Sequence, residues 1–339
     1  MKYAVGKLDG LEYMGALALD MALYAGAGAY TIGKGGKMKN ILCIDVGGSR
    51  IKAAVLPKEL DVNGLGKYKI ETMRTLGWLN QSLPEIVSNE NWASLAGQKK
   101  LSDEYSEIAI CVPGPVRNGE FERTDVSVPR DLQRRLENIS NKPVLLVKDA
   151  DAWTAGAATF ARLTNKPFNF PAVALAFGTG VGFSVACDRD RILSVEMSQW
   201  PWDFPSLQQA SGQPIKEPWM VHHILGKQFF EWVDEKQKDW TYERIRNEFS
   251  NRVSALLKDT IPRISKAVGD VKTVIIGGGN SEFASVRSLQ EQFVDIEVKS
   301  LWHRKVSVNT DIIPLLGLHQ LAYSQSPTIE MFNICETHG

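Results

Sequence analysis

The stretch Ile41-Leu-Cys-Ile-Asp45, together with Ile51-Lys-Ala-Ala-Val-Leu56, decides the fold. Both are apolar runs of strand length, and the second alternates its side chains between two faces. Val46-Gly47-Gly48-Ser49 separates them and is typical of a tight turn. The sequence therefore predicts a β-hairpin with a Gly-Gly tip.

A similar unit follows further along the chain. Ala172–Phe177 and Phe183–Cys187 are again strand-like, and Gly178-Thr-Gly-Val-Gly182 lies between them. Two such hairpins about 130 residues apart predict two related lobes.

Strands alternate with helices between the two hairpins. Ile108–Val112 and Pro143–Val147 have strand patterns, whereas residues 131–139 and 151–161 have helical spacing, with Asp149 or Asp151 as the predicted N-cap of the second helix. Further patterns predict helices over 219–231, 242–267 and 311–323 and a strand over 273–276. This order predicts an α/β fold with a mostly parallel sheet core.

The predicted domains follow from the same patterns. Residues 1–37 are an extension, either disordered or an accessory helix. Residues 38–155 form the N-terminal lobe and 156–310 the C-terminal lobe. Residues 311–339 provide a helix that returns to the N-terminal lobe.

Charge and cysteine usage exclude several classes of protein. Lys plus Arg and Asp plus Glu number 39 each, so there is none of the basic excess that nucleic-acid binding favours. The four cysteines are far apart, which argues against a structural zinc site and for reduced thiols in the cytoplasm. The apolar segment 11–30 contains Glu12 and Asp20, so no membrane span is expected. A homodimer stays open.

Three glycine clusters follow predicted strands. Glycine lets backbone N–H groups approach phosphate oxygens closely, and the Ser49 and Thr179 hydroxyls add donors. No Walker loop is present. The two hairpin clusters predict a polyphosphate site formed by Gly47, Gly48, Ser49, Gly178, Thr179, Gly180 and Gly182. The third cluster, Gly277, Gly278 and Gly279, predicts a flat wall for an adenine.

Two carboxylates end strands near these clusters. Asp45 precedes the first glycine tip and is placed to hold Mg²⁺, directly or through water. Asp149 follows another strand and is placed to accept a proton from an incoming hydroxyl. The alternative for both is a capping role in the fold.

The motifs together resemble the ROK family (repressors, open-reading-frame proteins and sugar kinases). The resemblance covers about residues 40 to 323 and implies the two-lobed actin-like ATPase (RNase H-like) fold with central mixed sheets, ATP and Mg²⁺, and no zinc. It implies phosphate or nucleotide contacts at Lys52 and Asn280, sugar contacts at Pro113, Gly114 and Glu196, and the catalytic base at Asp149. The motifs that carry it are Ile44-Asp-Val-Gly-Gly-Ser-Arg-Ile-Lys52, Val112-Pro-Gly-Pro115, Val147-Lys-Asp-Ala-Asp-Ala152, Phe177-Gly-Thr-Gly-Val-Gly182, Ile276-Gly-Gly-Gly-Asn-Ser281 and Asp311-Ile-Ile-Pro-Leu-Leu-Gly317.

The sequence departs from that family where the sugar is expected. The family's Glu-x-Gly-His stands here as Glu196-Met-Ser-Gln199, without its histidine, and the Asn before the base is Lys148. Lys148 has three interpretations: it weakens the neighbouring base, it pairs with an anionic substrate, or it points to solvent.

Two functions follow as alternatives. The first is a kinase that uses ATP or polyphosphate to phosphorylate a sugar hydroxyl. The second is a nucleotide- or sugar-binding protein with weak or no activity. A Rossmann dehydrogenase is disfavoured because Gly178-Thr-Gly-Val-Gly182 opens a strand rather than a helix.

Overall fold

The computed structural model describes residues 40–47, 50–60, 65, 68–74, 105–122, 129–196, 204–217, 220–301, 311–324 and 328–331. All of them belong to one compact unit, Lys39–Gly339. The predicted extension, residues 1–37, and the site residues Gly48 and Ser49 lie outside the described residues.

The first sheet has five strands in the order β3-β2-β1-β4-β7. Strands β1, β4 and β7 are parallel, and β2 pairs antiparallel with β1 so that Asp45 lies opposite Lys52. This confirms the predicted hairpin. The strands are β1 (Asn40–Val46), β2 (Arg50–Leu56), β3 (Glu71–Arg74), β4 (Tyr105–Val112) and β7 (Val144–Lys148).

The second sheet has six strands in the order β12-β11-β8-β9-β10-β13. The second predicted hairpin is present as β8 and β9, which are antiparallel, while β8, β11 and β12 are parallel. The strands are β8 (Ala172–Phe177), β9 (Val181–Ala186), β10 (Arg191–Ser194), β11 (Thr273–Gly277), β12 (Glu297–Ser300) and β13 (Thr328–Met331), and β5 (Val116–Arg117) with β6 (Glu120–Phe121) forms a separate ribbon.

Eight α-helices lie in the described ranges. The long one contains Pro262, and one 3₁₀ turn covers Ser281–Phe283. The helices are α1 (Leu132–Ser140), α2 (Asp149–Leu163), α3 (Pro205–Ser211), α4 (Met220–Leu225), α5 (Lys227–Lys236), α6 (Tyr242–Val268), α7 (Val286–Gln292) and α8 (Ile312–Ser324).

Helix α2 packs against both sheets because its residues are small. Ala152 and Ala155 join the cluster that contains Cys43 of β1, whereas Trp153 and Ala157 pack with strands of the second sheet. Helix α8 crosses α2 at Gly156 and Gly317, where the backbones are too close to leave space for a Cβ atom. The small-residue pattern of α2 therefore places the residues at its start between the two sheets.

Several local predictions need correction. The sheets are mixed, which confirms what the family resemblance implies and corrects the mostly parallel core that the alternation of strands and helices predicted. Helix α2 begins at Asp149 with Lys148 as its N-cap, so neither predicted aspartate caps it. The turn predicted over residues 178–182 is shorter in the structure, because β9 begins at Val181 and includes Gly182.

The predicted helix over 219–231 is divided at Gly226 into α4 and α5. Strands β3, β5, β6, β10, β12 and β13 and helices α3 and α7 were not predicted. The predicted domain boundaries stay a prediction, since α2 runs continuously through residue 155. None of the described helices is long and apolar enough to cross a membrane.

Candidate functional site

The carboxyl ends of three parallel strands bring the predicted carboxylates together. Asp45 of β1 pairs in register with Cys111 of β4, and Val112 pairs with Lys148 of β7. Pro113 and Gly114 follow β4, and Asp149 follows β7, so all of these residues lie at one edge of the first sheet. We call this edge the carboxyl edge.

Asp149 occupies the first turn of α2 and is partly buried. The Ala150 amide donates to its Oδ1 at 2.7 Å, and the other carboxylate oxygen has no hydrogen bond to the described residues. Burial raises the pKa of Asp149 to about 7, because the opposing effect of Lys148 is smaller and Asp45 adds to the increase. The carboxyl group can therefore take up and release a proton near neutral pH.

Lys148 is buried and faces the second sheet. Its Nζ donates to the carbonyl oxygens of Phe183, at 3.5 Å, and Val195, and it forms a salt bridge with Glu196 Oε2 at 3.3 Å. Burial works against the charged ammonium, but the carboxylates, led by Glu196, outweigh it and raise the pKa of Lys148. The interpretation that Lys148 points to solvent is therefore wrong.

The salt bridge also uses the hydrogen-bonding capacity of Lys148. An ammonium group has three N–H donors, and Lys148 Nζ is surrounded by three acceptors, which are the carbonyl oxygens of Phe183 and Val195 and the carboxylate of Glu196. Glu196, the predicted sugar contact, is thus near Asp149 but engaged by Lys148.

Asp151 is a buried carboxylate that sequence reasoning treated only as a cap. The Ser184 hydroxyl donates to its Oδ1 at 2.9 Å. Burial raises its pKa, although Lys148 opposes the shift. Asp151 therefore connects the first turn of α2 to β9 through a hydrogen bond.

Asp45 and Lys52 face each other across the first hairpin. Lys52 Nζ lies 3.3 Å from Asp45 Oδ2 and 3.1 Å from Asp311 Oδ1. The Cys111 thiol donates to Asp45 Oδ1 at 3.3 Å, and burial raises the pKa of that thiol well above its ordinary value, which keeps the donor protonated. Sequence reasoning missed Cys111 and Asp311, which are distant from Asp45 in sequence.

The donor set at Asp45 fits a magnesium ion held with phosphate. Mg²⁺ is commonly bound by one or two carboxylates together with substrate phosphates and water. Asp45 keeps unused lone pairs beside its two hydrogen bonds. No group of three or more His, Cys, Asp or Glu residues with metal-binding geometry occurs in the described ranges.

The turn between β8 and β9, here called the second glycine turn (Gly178–Gly180), has its acceptors engaged by the chain. Gly178 O accepts from the Asn280 side chain at 3.0 Å, Thr179 O from the Lys227 amide at 3.0 Å, and Gly180 O from the Gly178 amide at 2.9 Å. Within the described part of the chain the amides of Thr179 and Gly180 have no partner. The turn therefore presents donors, which is the requirement for an anion site.

The third glycine cluster packs directly against that turn. Gly278 has φ +88°, and a Cβ there would lie 2.4 Å from Phe177 O. The Asn280 amide donates to Phe177 O at 3.0 Å, in addition to the side-chain bond to Gly178. The predicted nucleotide residue Asn280 thus joins the two glycine segments.

The glycines of these segments differ in what surrounds them. A Cβ at Gly178 or Gly279 would meet no atom of the described part of the chain within 4 Å, whereas one at Gly277 would lie 2.0 Å from the Trp153 ring. A Cβ at Gly182 would lie 3.3 Å from Ala150, the residue after Asp149. Packing within the chain therefore explains Gly182 and Gly277, and Gly178 and Gly279 leave space beside the turn.

The first glycine turn is described only in part. The Gly47 amide donates to Arg50 O at 2.8 Å, which closes the hairpin. Gly114 has φ +138°, a value that favours glycine in the loop after β4. Residues 197–199, where the family's Gly-His pair is absent, are outside the described part.

Comparisons with known proteins agree with the sequence resemblance. Residues 41–193 match the ROK family model, which confirms that resemblance over this range. No curated protein matches the sequence.

Three solved structures share the fold. The inorganic polyphosphate/ATP-glucomannokinase of Arthrobacter sp. strain KM has 15% identity and a TM-score of 0.51, with 85% of this chain and 99% of that chain covered. A ROK family glucokinase from Streptomyces griseus, solved with glucose and AMPPNP, has 14% identity and a TM-score of 0.51, with coverage of 83% and 98%. A ROK family transcriptional regulator, a homologue of the E. coli MLC protein, has 13% identity and a TM-score of 0.53, with coverage of 85% and 81%. The predicted two-lobed actin-like fold is confirmed.

Proposed function

We propose that this chain, which carries the ROK family match at residues 41–193, is a kinase that transfers a phosphoryl group from ATP to a hydroxyl of a sugar or sugar-like substrate. The observation that carries the proposal is Asp149, whose pKa is raised to about 7 beside a hairpin whose turn presents hydrogen-bond donors. A general base works best when its pKa is close to the working pH.

The second glycine turn is the proposed site of the ATP phosphates. Its Thr179 and Gly180 amides and the exposed Thr179 hydroxyl provide donors, while its carbonyl groups are engaged by the chain. Space beside Gly178 and Gly279 allows a nucleotide to approach the backbone. Gly47, Gly48 and Ser49 of the first turn are proposed to bind the phosphates from the other lobe.

Asp45 is the residue proposed to hold Mg²⁺, directly or through water. A bound magnesium ion neutralises phosphate oxygens during transfer. Lys52 is proposed to serve the same site, because it orients Asp45 and neutralises part of the charge shared with Asp311. This changes the predicted direct phosphate contact of Lys52 into a contact with the carboxylates.

Asp149 is proposed to take the proton from the substrate hydroxyl as that oxygen attacks the terminal phosphorus. The Ala150 amide fixes one carboxylate oxygen, which leaves the other to accept the proton. The oxygen–phosphorus bond forms as the bond to the leaving ADP oxygen breaks, so the phosphoryl group is transferred without a covalent enzyme intermediate.

The substrate is proposed to bind beside Pro113, Gly114 and Glu196 at the carboxyl edge. The three protons of Lys148 are engaged by Phe183, Val195 and Glu196, so an anionic substrate gains no new donor from it. We therefore favour an uncharged sugar over a sugar acid or sugar phosphate.

The Lys148–Glu196 salt bridge favours a second candidate function. If Glu196 stays paired with Lys148, one of the sugar contacts implied by the family resemblance is lost, and the chain is then a nucleotide-binding protein with little kinase activity. The regulator among the proteins of this fold is compatible with such a role.

Formation of a sugar phosphate separates the two candidates. Purified protein is incubated with Mg²⁺, with ATP or polyphosphate as the donor, and with neutral hexoses, amino sugars and sugar acids; ADP release is measured as well when ATP is the donor. The kinase proposal expects a sugar phosphate, and with ATP an equal amount of ADP, from at least one neutral sugar. ATP binding without formation of any sugar phosphate across the whole panel, with either donor, contradicts it and supports the second candidate.

A further inference from the structure

The backbone of the second glycine turn is fixed from one side by a histidine that the sequence motifs do not include. His222 lies in α4, and its Nδ1 accepts a hydrogen bond from the Val181 amide at 3.0 Å. Val181 is the first residue of β9, directly after the turn. The side chain of His222 therefore holds the end of the turn that leads into β9.

Two glycines make this approach possible. A Cβ at Gly180 would lie 2.9 Å from His222 Nδ1, so the imidazole occupies the side of the turn that a larger residue would fill. A Cβ at Gly226 would lie 2.3 Å from His222 O and 2.4 Å from Thr179 O. Gly226 thus allows the corner between α4 and α5 to pack on the backbone of the turn.

The same corner supplies a second hydrogen bond. The Lys227 amide, at the start of α5, donates to Thr179 O at 3.0 Å. One contact therefore holds a carbonyl group of the turn and the other holds an amide immediately after it. Together they determine how the peptide planes between Thr179 and Val181 are oriented.

We infer that His222 is a positioning residue for the nucleotide: it fixes the peptide unit of Gly180 and Val181, next to the unit that the Lys227 amide holds, and so keeps the Gly180 amide oriented towards the phosphates. The inference rests on the proposed function only for the identity of the anion. An Nδ1 atom that accepts a hydrogen bond carries no proton, so the imidazole is held as the Nε2–H tautomer. His222 does not need to touch the phosphates for this role.

Three variants test the inference. His222→Ala removes the acceptor, and His222→Asn replaces Nδ1 by an amide oxygen at a similar distance along the side chain. His223→Ala is the matched control, because this neighbouring histidine of α4 is exposed. The control also reports any general effect of altering α4.

The first measurement is hydrogen exchange of the peptide that covers the second glycine turn and Val181, made without nucleotide. We expect His222→Ala to accelerate exchange there about tenfold, His222→Asn to restore most of the protection, and His223→Ala to behave as the wild type. Unchanged exchange in His222→Ala overturns the inference. This result does not depend on whether the chain is a kinase.

The second measurement is ATP affinity by calorimetry, with the KM for the sugar as the comparison. Loss of the positioning contact is expected to weaken ATP binding about tenfold and to change the KM for the sugar by less than about twofold. Equal ATP affinity in His222→Ala and wild type, or equal losses in His222→Ala and His222→Asn, overturns the inference. Wild-type protein that binds no ATP contradicts the proposed function and, with it, the assignment of the anion.

Discussion

The second glycine turn and the Lys148–Glu196 salt bridge use their polar groups in opposite ways. In the turn, the chain engages the carbonyl acceptors and leaves the Thr179 and Gly180 amides for a ligand. In the salt bridge, the donors of Lys148 are engaged by the chain itself. The proposed nucleotide side therefore presents backbone donors that the described residues leave unpaired, whereas the proposed substrate side has its donors paired within the chain.

This difference indicates that the sequence departs from the family pattern in the region proposed for the substrate and keeps it in the region proposed for the nucleotide. Backbone N–H groups in a glycine turn can bind an anion whatever the neighbouring side chains are. Substrate contacts depend on particular side chains, and here Lys148 replaces the residue that the family resemblance implies. Asp149 lies between the two regions and serves as the reference point for both.

The largest expected effect is that of Asp149→Asn. The amide keeps the shape of the side chain and an oxygen for the Ala150 amide, but it cannot accept the substrate proton. We expect kcat to fall by about 10²- to 10⁴-fold, with ATP affinity within about threefold of the wild type. The measurements are steady-state kinetics and calorimetry.

A matched control is Asp270→Asn, since Asp270 has a side chain that is 88% exposed. Its kinetics should equal those of the wild type. Turnover retained in Asp149→Asn would contradict the assignment of Asp149 as the proton acceptor.

The second largest effect is expected from Lys148→Met, which breaks the salt bridge with Glu196. Lys148→Met leaves buried Glu196 without its cation, and breaking a buried pair in this way costs about 3 to 5 kcal/mol in the free energy of unfolding. The double variant Lys148→Met with Glu196→Met removes both charges and should recover much of that loss. Urea denaturation measures both.

A Lys148→Met protein as stable as the wild type would show that the salt bridge does not organise this region. The same variant also tests the effect of the ammonium on Asp149, because Lys148 lowers the pKa of that carboxyl. Its removal should move the acid limb of the activity profile to higher pH.

The third effect concerns the glycine segments. Gly178→Ala introduces a methyl group where no atom of the described residues lies within 4 Å, so stability should be unchanged while ATP binding weakens about tenfold. Gly278→Ala has the opposite expectation, since φ is +88° and Phe177 O lies 2.4 Å from the new Cβ. That variant should lose at least about 1 kcal/mol of stability.

Thermal unfolding and ATP calorimetry on the two glycine variants distinguish a ligand role from a packing role. Unaltered ATP affinity in Gly178→Ala would mean that the space beside the turn is not used by the nucleotide. The proposed difference between the two sides of the cleft would then disappear.

Local patterns predicted much of the fold and less of the site. The two hairpins, β7, α2 and α8 follow from apolar runs, glycine turns and small-residue spacing, all of which act between near neighbours. The predicted N-cap of α2 was wrong because Asp149 is the first residue of the helix, where its carboxylate accepts a hydrogen bond from the amide of Ala150. Short edge strands such as β13 have patterns too brief to recognise.

The contacts that define the site come from residues distant in sequence. Lys148 pairs with Glu196 and Lys52 with Asp311, and neither pair has a sequence pattern that predicts it. His222 is likewise separated from the glycine turn that it contacts. The glycines at positions 180 and 226 allow this approach, but a sequence does not show which group approaches a glycine.

The central claim is that Asp149 accepts the substrate proton, and its pH dependence tests this most directly. The pKa of Asp149 is raised to about 7 by burial, so the carboxylate that can act as a base predominates above pH 7 and is converted to the acid form below it. For the wild type, kcat/KM should therefore fall about tenfold for each unit of pH below 7 and level off above it. A flat kcat/KM between pH 5 and 8 would contradict the account.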